Sequence, residues 1–480
     1  MQFACSKKTS PDFFCLRLIS AIRSGLNGRC GGLKFCSVYG RQRATLQSHQ
    51  ICDEIPLRLK IPKNMDGDGR APAAAAAASA ASVLGDDDLL REILIRLGFP
   101  NFLVRAALVS KGWLHHASDP AFLRRFRERN PPRVLGVCAG YSVRPFKFVP
   151  LPQPPELAAL SRRAASSCAH AFARGGQRME HCRNGRLIVE SLRKGTFKHS
   201  VLAPLLSGEP EAALPPIPPT RRHPQEPTQG AFTQIFLPED GGRDGITLVN
   251  LWKVQREVRA EVYVLGSGGW GVPTTAMTEI ELQYAATFFA KMLPPVHGKV
   301  FVVTGFGYTL GLDLATATFV ILQLPAGVRY NYMLSSVEGS GIYLVTADRF
   351  QLSVWLHRMT GDNHGAGGWL LVDTFSVLEA CARLAGDSWV PCEYLNVAAV
   401  GDNADFVFLD HPSSGVIFYV QPSSRVVKMV YQRMADEHEC ASVAVRISPV
   451  MTIWPPIFPA LNIGHDQEGI VRAVRSLDRR

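Results

Sequence analysis

Short apolar runs recur along residues 133–480, and they constrain the possible folds more than any other feature of the sequence. RLIVES, KVFVVTG and VIFYVQ are typical of these runs, which are bounded by Gly, Pro, Asn or Asp. β-Branched and aromatic residues between turn-forming residues predict short β-strands, here at intervals of roughly 8 to 12 residues. The sequence therefore predicts an all-β body.

A weak internal repeat indicates how these strands are arranged. VFVVT begins at residue 300, IYLVT at 342 and FVFLD at 406. A second apolar run follows each of them about ten residues later, and a third run (TFVILQL, WLLVDT or VVKMV) completes each unit. Such units are typical of propeller blades, so we expect a β-propeller-like domain of about six to eight blades. A β-sandwich or a pair of barrels is the alternative.

Four segments interrupt the strand pattern. Residues 375–394 predict a helical insertion between blades, and residues 151–177 predict a helix or a long loop. Residues 210–230 are rich in Pro and predict an exposed loop. GSGGWG, at 266–271, fits the phosphate-binding pattern GxGxxG, but VPTT follows it where that motif needs a helix, so a hairpin loop is predicted.

Helical periodicity also appears before this body, in DDDLLREILIRLG. Its apolar residues fall on one helix face, and they are Leu89, Leu90, Ile93, Leu94 and Leu97. The preceding aspartates can cap the helix, and Gly98 suits the left-handed turn that ends it. We expect a second helix over about 101–109 and a third from Ser110. Asp119 and Pro120 then begin another helix.

These short helices expose more apolar surface than so small a bundle can bury alone, which indicates a partner. The segment also resembles an F-box, in the form common in large plant families. The residues that carry the resemblance are Leu90, Ile93, Leu94, Leu97, Leu103, Leu108, Val109, Trp113, Asp119, Pro120 and Phe122. In place of the Leu-Pro that usually opens the family's first helix, this chain has Gly85 and Asp86.

The F-box resemblance implies binding to a Skp-type adaptor and, through it, to the cullin of a ubiquitin ligase. We therefore predict an adaptor-binding surface on the apolar helix faces. Its residues are Leu89, Leu90, Ile93, Leu94, Leu97, Leu103, Leu108, Val109 and Trp113.

The body resembles the β-propeller-like F-box-associated region of grass F-box proteins. PPRVLG, CRNGRLIVE, LPPIPP, FLPEDG, GLDLATATFVILQLP and WLLVDTF carry this resemblance. It implies a domain that recruits a protein substrate, to which the sequence assigns no specific residues.

Charge and cysteine are concentrated at the amino terminus. Residues 1–64 contain 11 Lys and Arg against 3 Asp and Glu, so most of the net charge of +11 lies there. The nearly neutral remainder argues against a nucleic-acid partner. No apolar run is long enough for a transmembrane helix, so no membrane partner is expected. We expect the cytoplasm or the nucleus, with an organellar transit peptide in residues 1–64 as the alternative.

No motif for chemistry stands out. The cysteines form no CxxC pair, the histidines lack H-x-x-x-H or H-E-x-x-H spacing, and no G-x-S-x-G elbow occurs. We therefore expect buried free thiols, no metal or other cofactor, and no catalytic residue. His115 and His116, in VSKGWLHHASDPAF, are assigned to the third helix rather than to a reactive site.

These observations together predict an α + β multidomain protein, with a small three-helix F-box followed by the all-β domain. The expected plan is a basic extension (1–64), an Ala-rich linker (65–83), the F-box (84–130), a connecting segment (131–180) and the propeller-like domain (181–480). The expected function is the non-enzymatic substrate-recognition subunit of a Skp–cullin–F-box ubiquitin ligase. A propeller enzyme or carbohydrate-binding protein with a helical cap is the alternative, and an F-box scaffold outside ubiquitination is a third possibility.

Overall fold

The structure, a computed structural model, divides into a helical unit that extends to Pro131 and a β-unit that covers Pro132–Ile457. It describes residues 85–140, 146–172, 177–193, 196–206, 211–219, 232–238, 245–254, 256–279, 291–337, 341–358, 368–390, 394–433 and 446–458. The predicted extension 1–64, the linker 65–83 and most of the Pro-rich segment 210–230 lie outside these residues.

Short helices build the described part of the helical unit. They are α1 (Asp87–Ile95), α2 (Pro100–Ala107), α3 (Lys111–Ser118) and α4 (Pro120–Arg129). Helix α1 packs against α3 and α4, and α3 also packs against α2 and α4. The core between them contains Leu90, Leu94, Ile95, Leu97, Leu103, Trp113, Phe122 and Phe126.

Local chemistry fixes where these helices begin and end. The Asp86 carboxylate accepts two backbone hydrogen bonds of 3.0 Å from α1, and the Ser110 hydroxyl accepts one of 3.2 Å from α3. Asp119 caps α4 in the same way, with Pro120 at its first position. Gly98 has φ +72°, a backbone conformation that residues with a Cβ atom rarely adopt. The predicted caps and the left-handed turn are therefore confirmed.

The β-unit is a six-bladed β-propeller, in which each of the six described sheets is one blade. Blade 1 contains β1 (Val134–Gly140), β2 (Lys147–Pro150) and β23 (Arg446–Met451). Blade 2 contains β3 (Gln177–Arg183), β4 (Arg186–Arg193), β5 (Thr196–Leu202) and β6 (Ala212–Ala213). Blade 3 contains β7 (Phe232–Pro238), β8 (Ile246–Val254), β9 (Glu257–Gly266), β10 (Gly269–Trp270) and β11 (Thr274–Glu279).

The three blades that follow contain the predicted repeats. Blade 4 contains β12 (Lys299–Val303), β13 (Tyr308–Asp313) and β14 (Thr318–Gln323). Blade 5 contains β15 (Tyr332–Ser336), β16 (Gly341–Asp348), β17 (Gln351–Arg358) and β18 (Trp369–Ser376). Blade 6 contains β19 (Asn396–Val400), β20 (Val407–His411), β21 (Val416–Gln421) and β22 (Val426–Gln432). The propeller prediction is confirmed, and the sandwich or barrel alternative does not apply.

One strand of each blade faces the centre of the ring. β23 contacts β3, β3 contacts β7, and β19 contacts both β15 and β23. In blade 4, residues 291–293 take this place, because Leu293 donates to the Phe301 carbonyl and Val303 donates to the Lys291 carbonyl. We call β3, β7, residues 291–293, β15, β19 and β23 the inner strands.

The two ends of the β-unit meet in blade 1, where β1 pairs with β23 in an antiparallel register such as Ala139↔Ile447. Gly136 allows β2 to lie close, because a Cβ there would be 2.4 Å from the Phe148 ring. Residues 131–180, treated in the sequence as a connection, thus contribute two propeller strands. The strand β23, which pairs with β1, is more than 300 residues away, so local periodicity does not reveal the pairing.

The predicted interruptions also have defined structures. Residues 151–177 contain α5 (Pro155–Phe172), and the insertion at 375–394 contains α6 (Leu378–Ala385). GSGGWG is a hairpin, in which Gly266 of β9 pairs with Gly269 of β10, as predicted. No helix of the described residues is long and apolar enough to cross a membrane.

The described cysteines are free, as expected. Cys138, Cys168 and Cys381 are buried and Cys182 is half-buried. The sulfurs of Cys138 and Cys168 lie 3.8 Å apart. The hydrogen bond to Cys168 and burial raise the pKa of Cys138 well above its ordinary value, so both thiols act as core residues.

A charged pair lies inside blade 6. Arg433 Nη2 donates to Asp410 Oδ1 at 2.7 Å, and neither side chain is more than 2% exposed. Arg433 Nη1 also donates to the Pro412 carbonyl at 3.2 Å. Burial raises the pKa of Asp410 to about 6, while Arg433 opposes the rise. The carboxylate is therefore ionised at neutral pH.

We expect Asp410→Ala to destabilise the propeller by about 3–5 kcal/mol, because it leaves the Arg433 guanidinium in the core without its carboxylate partner. Denaturant unfolding of the full chain, followed by tryptophan fluorescence, measures this change. Asp373→Ala is the matched control, since it removes an exposed ion pair with Arg425 and should change stability by less than about 1 kcal/mol. Equal effects of the two variants would contradict the assignment.

Candidate functional site

Helix α1 presents two kinds of apolar residue. Leu90, Leu94 and Leu97 are buried in the core of the helical unit. Leu89 is 46% exposed, and Ile93, one turn later, is half-buried. The apolar face predicted from periodicity is thus wider than the core it packs on, and its edge remains available to a partner.

The junction of α2 and α3 shows the same division. Leu103 and Trp113 are buried, whereas Leu108 is half-buried and Val109 is 43% exposed. The Ser110 cap directly after Val109 ends the α2–α3 turn and starts α3. The side chain of Val109 therefore lies on a turn whose backbone is held by α2 on one side and by the cap of α3 on the other.

The nine residues predicted to bind an adaptor thus fall into two groups. A core group is enclosed by the helical unit itself: Leu90, Leu94, Leu97, Leu103 and Trp113. An exposed group keeps apolar surface accessible: Leu89, Ile93, Leu108 and Val109. Only the exposed group can contact a partner while the unit stays folded, and that contact remains a prediction.

An aromatic pair at the start of α2 was not included in the predicted surface. The Phe99 and Phe102 rings meet edge to face with centroids 5.8 Å apart, and both residues are half-buried. They flank Pro100, the first residue of α2. Two phenylalanines around a helix-starting proline are the signal that could have identified this apolar surface.

His116 connects two helices. Its Nε2 lies 2.9 Å from Asp87 Oδ1 on α1, and Arg91 Nε donates to its Nδ1 at 3.3 Å. A neutral imidazole with its proton on Nε2 satisfies both contacts, because Nδ1 then accepts and Nε2 donates. His115 beside it is exposed. The two adjacent histidines thus belong to α3, as predicted, and the buried one ties α3 to α1.

The described residues of this unit provide no metal site. No group of three His, Cys, Asp or Glu side chains in the described residues is placed to hold a metal ion. Exposed arginines cover the outside of α4, among them Arg124, Arg125 and Arg129. The described surface of this unit is therefore apolar at α1 and α2 and basic at α4.

We expect His116→Ala to loosen the contact between α1 and α3, because it removes both hydrogen bonds of the imidazole and leaves a cavity. Hydrogen–deuterium exchange of the full chain should show faster exchange in peptides from both helices, consistent with a loss of about 1–3 kcal/mol. His115→Ala, in the same helix but exposed, should exchange like the wild type. Faster exchange confined to α3 would contradict the proposed tie.

Two family descriptions match separate parts of the chain. Residues 86–125 match the F-box domain. Residues 178–458, more than half of the chain, match the β-propeller of AT5G49610-like F-box proteins. No curated protein matches the chain.

Solved structures resemble the chain distantly. Apo AztD from Citrobacter koseri is 10% identical over 56% of this chain and 61% of its own, with a TM-score of 0.25. A Lactobacillus plantarum protein is 13% identical over 55% and 71%, with a TM-score of 0.29. Kluyveromyces lactis Hsv2 is 9% identical over 52% and 62%, with a TM-score of 0.28. The chain thus spans less than two thirds of the length of AztD.

The two matches fall on the two units that the structure separates, the unit of short helices and the six-bladed propeller. The more specific likeness to grass proteins stays a prediction. The chain belongs to the family of F-box proteins with an AT5G49610-like β-propeller.

Proposed function

We propose that this chain is the substrate-recognition subunit of a Skp–cullin–F-box ubiquitin ligase. The helical unit would bind the Skp-type adaptor, and the propeller would bind the protein to be modified. The observation that carries the proposal is the pairing of an F-box with a propeller of this family in one chain. We retain the cytoplasm or the nucleus as its location.

The exposed apolar residues of the helical unit support adaptor binding. F-box domains generally bind Skp1-type adaptors. Leu89, Ile93, Leu108 and Val109 offer apolar surface on a core that is already complete without them. Burying such side chains against a partner is the usual source of affinity in interfaces of this kind.

The departure from the family at the start of α1 is compatible with this role. Where other members have Leu-Pro, Asp86 caps the helix with its side chain, and Asp87 and Asp88 stand in the first turn. Negative charge at this end stabilises a helix. The helix that presents Leu89 is therefore anchored without a proline.

Under this proposal the chain performs no chemistry itself. Other subunits would transfer ubiquitin, and this chain would raise the local concentration of the substrate near them. Its two activities are then separable binding events, one on each unit.

We expect the double variant Leu89→Asp, Val109→Asp to lose adaptor binding, because it places two charges in the proposed apolar interface. The loss should be at least about 1.4 kcal/mol, or tenfold in Kd, measured by titrating purified Skp-type adaptor against the full chain. Both side chains are exposed, so the variant should fold normally. Substitution of the buried Trp113 would not separate lost binding from unfolding.

Ile321→Asp is the matched control, since Ile321 is also an exposed apolar residue but lies on the outer strand β14 of the propeller. Its Kd should equal that of the wild type. An unchanged Kd of the double variant, or no adaptor binding by the wild type, would refute the proposal. Cullin in the same purified complex distinguishes a ligase subunit from a scaffold that binds the adaptor alone.

A further inference from the structure

A lysine of blade 4 contacts the inner strands of two other blades. The Lys291 carbonyl accepts from Val303 of β12, so its backbone belongs to blade 4. Its Nζ lies 3.2 Å from the Met333 sulfur on β15 and 3.4 Å from the Ala398 carbonyl oxygen on β19. Ala398 belongs to blade 6, two blades away. A side chain can span that distance only by extending into the central channel.

A second cation, Arg446, lies at the same end of the channel. Lys291 begins the inner segment of blade 4 and Arg446 is the first residue of β23, and the Arg446 charge lowers the pKa of Lys291, so the two groups lie close together. Arg446 Nη1 is 3.3 Å from Glu180 Oε2 on β3. Because β23 lies between β19 and β3, Arg446 is placed next to the strand that Lys291 reaches.

Irregular strand pairing places the groups that hold these cations. In β3, Met179 pairs with Val189 and His181 with Ile188, so Glu180 between them is a bulge. In β19, Ala398 is a bulge of the same kind. Bulges turn a residue out of the regular pattern and often adjoin functional sites. Two inner strands thus break their ladder at the residues that contact Arg446 and Lys291.

The charges of the inner strands are unbalanced. Glu180 is the single acidic residue whose side chain the structure describes on these strands, against Arg183, Lys291 and Arg446. Three cations against one anion along these strands favour the approach of an anion.

Lys291 and Arg446 also retain unused hydrogen-bond donors. The thioether of Met333 is a weak acceptor, and the single bond from Arg446 to Glu180 uses one of five guanidinium N–H groups. Loss of water, followed by the Arg446 charge, lowers the pKa of Lys291 to about 8. The ammonium is thus charged at pH 7, in surroundings that an added anion would make more favourable.

We propose that Lys291 and Arg446 form an anion-binding site at the mouth of the propeller channel, and that an acidic side chain of the recruited protein occupies it. The charge of the site indicates the chemistry of the partner. The partner would present an extended segment whose Glu or Asp enters the channel. This inference rests on the proposed function, which gives the propeller the task of binding a protein.

The test uses the full chain and three twelve-residue peptides labelled with fluorescein. The first peptide contains Glu, the second Gln and the third phosphoserine, in each case alternating with Gly and Ser. Fluorescence anisotropy at physiological salt should show binding of the Glu peptide and at least tenfold weaker binding of the Gln peptide. The double variant Lys291→Gln, Arg446→Gln should weaken binding of the Glu peptide at least tenfold, because it removes both charge-assisted contacts.

Lys428→Gln is the matched control, since it removes one positive charge from the exposed outer strand β22 and should leave the affinity unchanged. Equal binding of the Glu and Gln peptides, an unaffected double variant, or no binding by the wild type would overturn the proposal. Binding of the phosphoserine peptide alone would overturn the assignment to an acidic side chain. A melting temperature within a few degrees of the wild type shows that the double variant is folded.

Amine labelling provides a second measurement. Because burial and the Arg446 charge lower the pKa of Lys291, more of its amines are uncharged at pH 8 than those of an ordinary lysine. We expect acetylation at pH 8, read by mass spectrometry, to be fast at Lys291 and slowed by the Glu peptide. Arg446→Gln removes a neighbouring positive charge, so it should raise the pKa of Lys291 and slow its labelling. Labelling that neither change affects would contradict the site.

Failure of this site and failure of the proposed function are distinguishable. The double variant Lys291→Gln, Arg446→Gln should bind the Skp-type adaptor as the wild type does, because both substitutions lie in the propeller. If the wild type binds the Glu peptide but no adaptor, the anion site stands and the ligase role falls. If the wild type binds the adaptor but neither the Glu peptide nor the phosphoserine peptide, the ligase role stands and the anion site falls.

Discussion

The pairing of β1 with β23 is the interaction on which the rest of the β-unit depends. Residues more than 300 positions apart form one sheet, which alone among the described sheets combines strands from both ends of the β-unit. It also sets β23 between β19 and β3, which completes the ring of inner strands. The position of Arg446, the first residue of β23, follows from ring closure. The proposed anion site is therefore a property of the closed propeller and not of any single blade.

The sequence predicted the features that depend on near neighbours. Blades 4 to 6 were visible because hairpins repeat at short range, and the helix starts at Asp86, Ser110 and Asp119 were visible because a cap acts within three residues. The β1–β23 pairing was not visible, since nothing local in VLGVCAG specifies a partner so far along the chain. The bulges at Glu180 and Ala398 arise from how neighbouring strands fit, which periodicity does not record.

The helical unit shows why an apolar face predicts burial but not the partner that provides it. Leu90 and Leu89 are adjacent and equally apolar, yet one is in the core and the other is exposed. A helix that packs on its own unit and on a second protein needs apolar residues on a wide arc, and periodicity counts both sets together. Only the folded structure separates the residues that keep the unit together from those left for a partner.

The strand that closes the ring, β23, is the last described strand of the β-unit. During synthesis it is therefore the last of these strands to be made. When β22 has left the ribosome, blades 2 to 6 have all their described strands, while blade 1 has only β1 and β2. Until Arg446–Met451 emerges, β1 lacks the strand with which it pairs in the folded chain. The described helices α1 to α4 precede all of these strands in the chain. A newly made chain therefore contains these helices before it contains the strand that closes the ring.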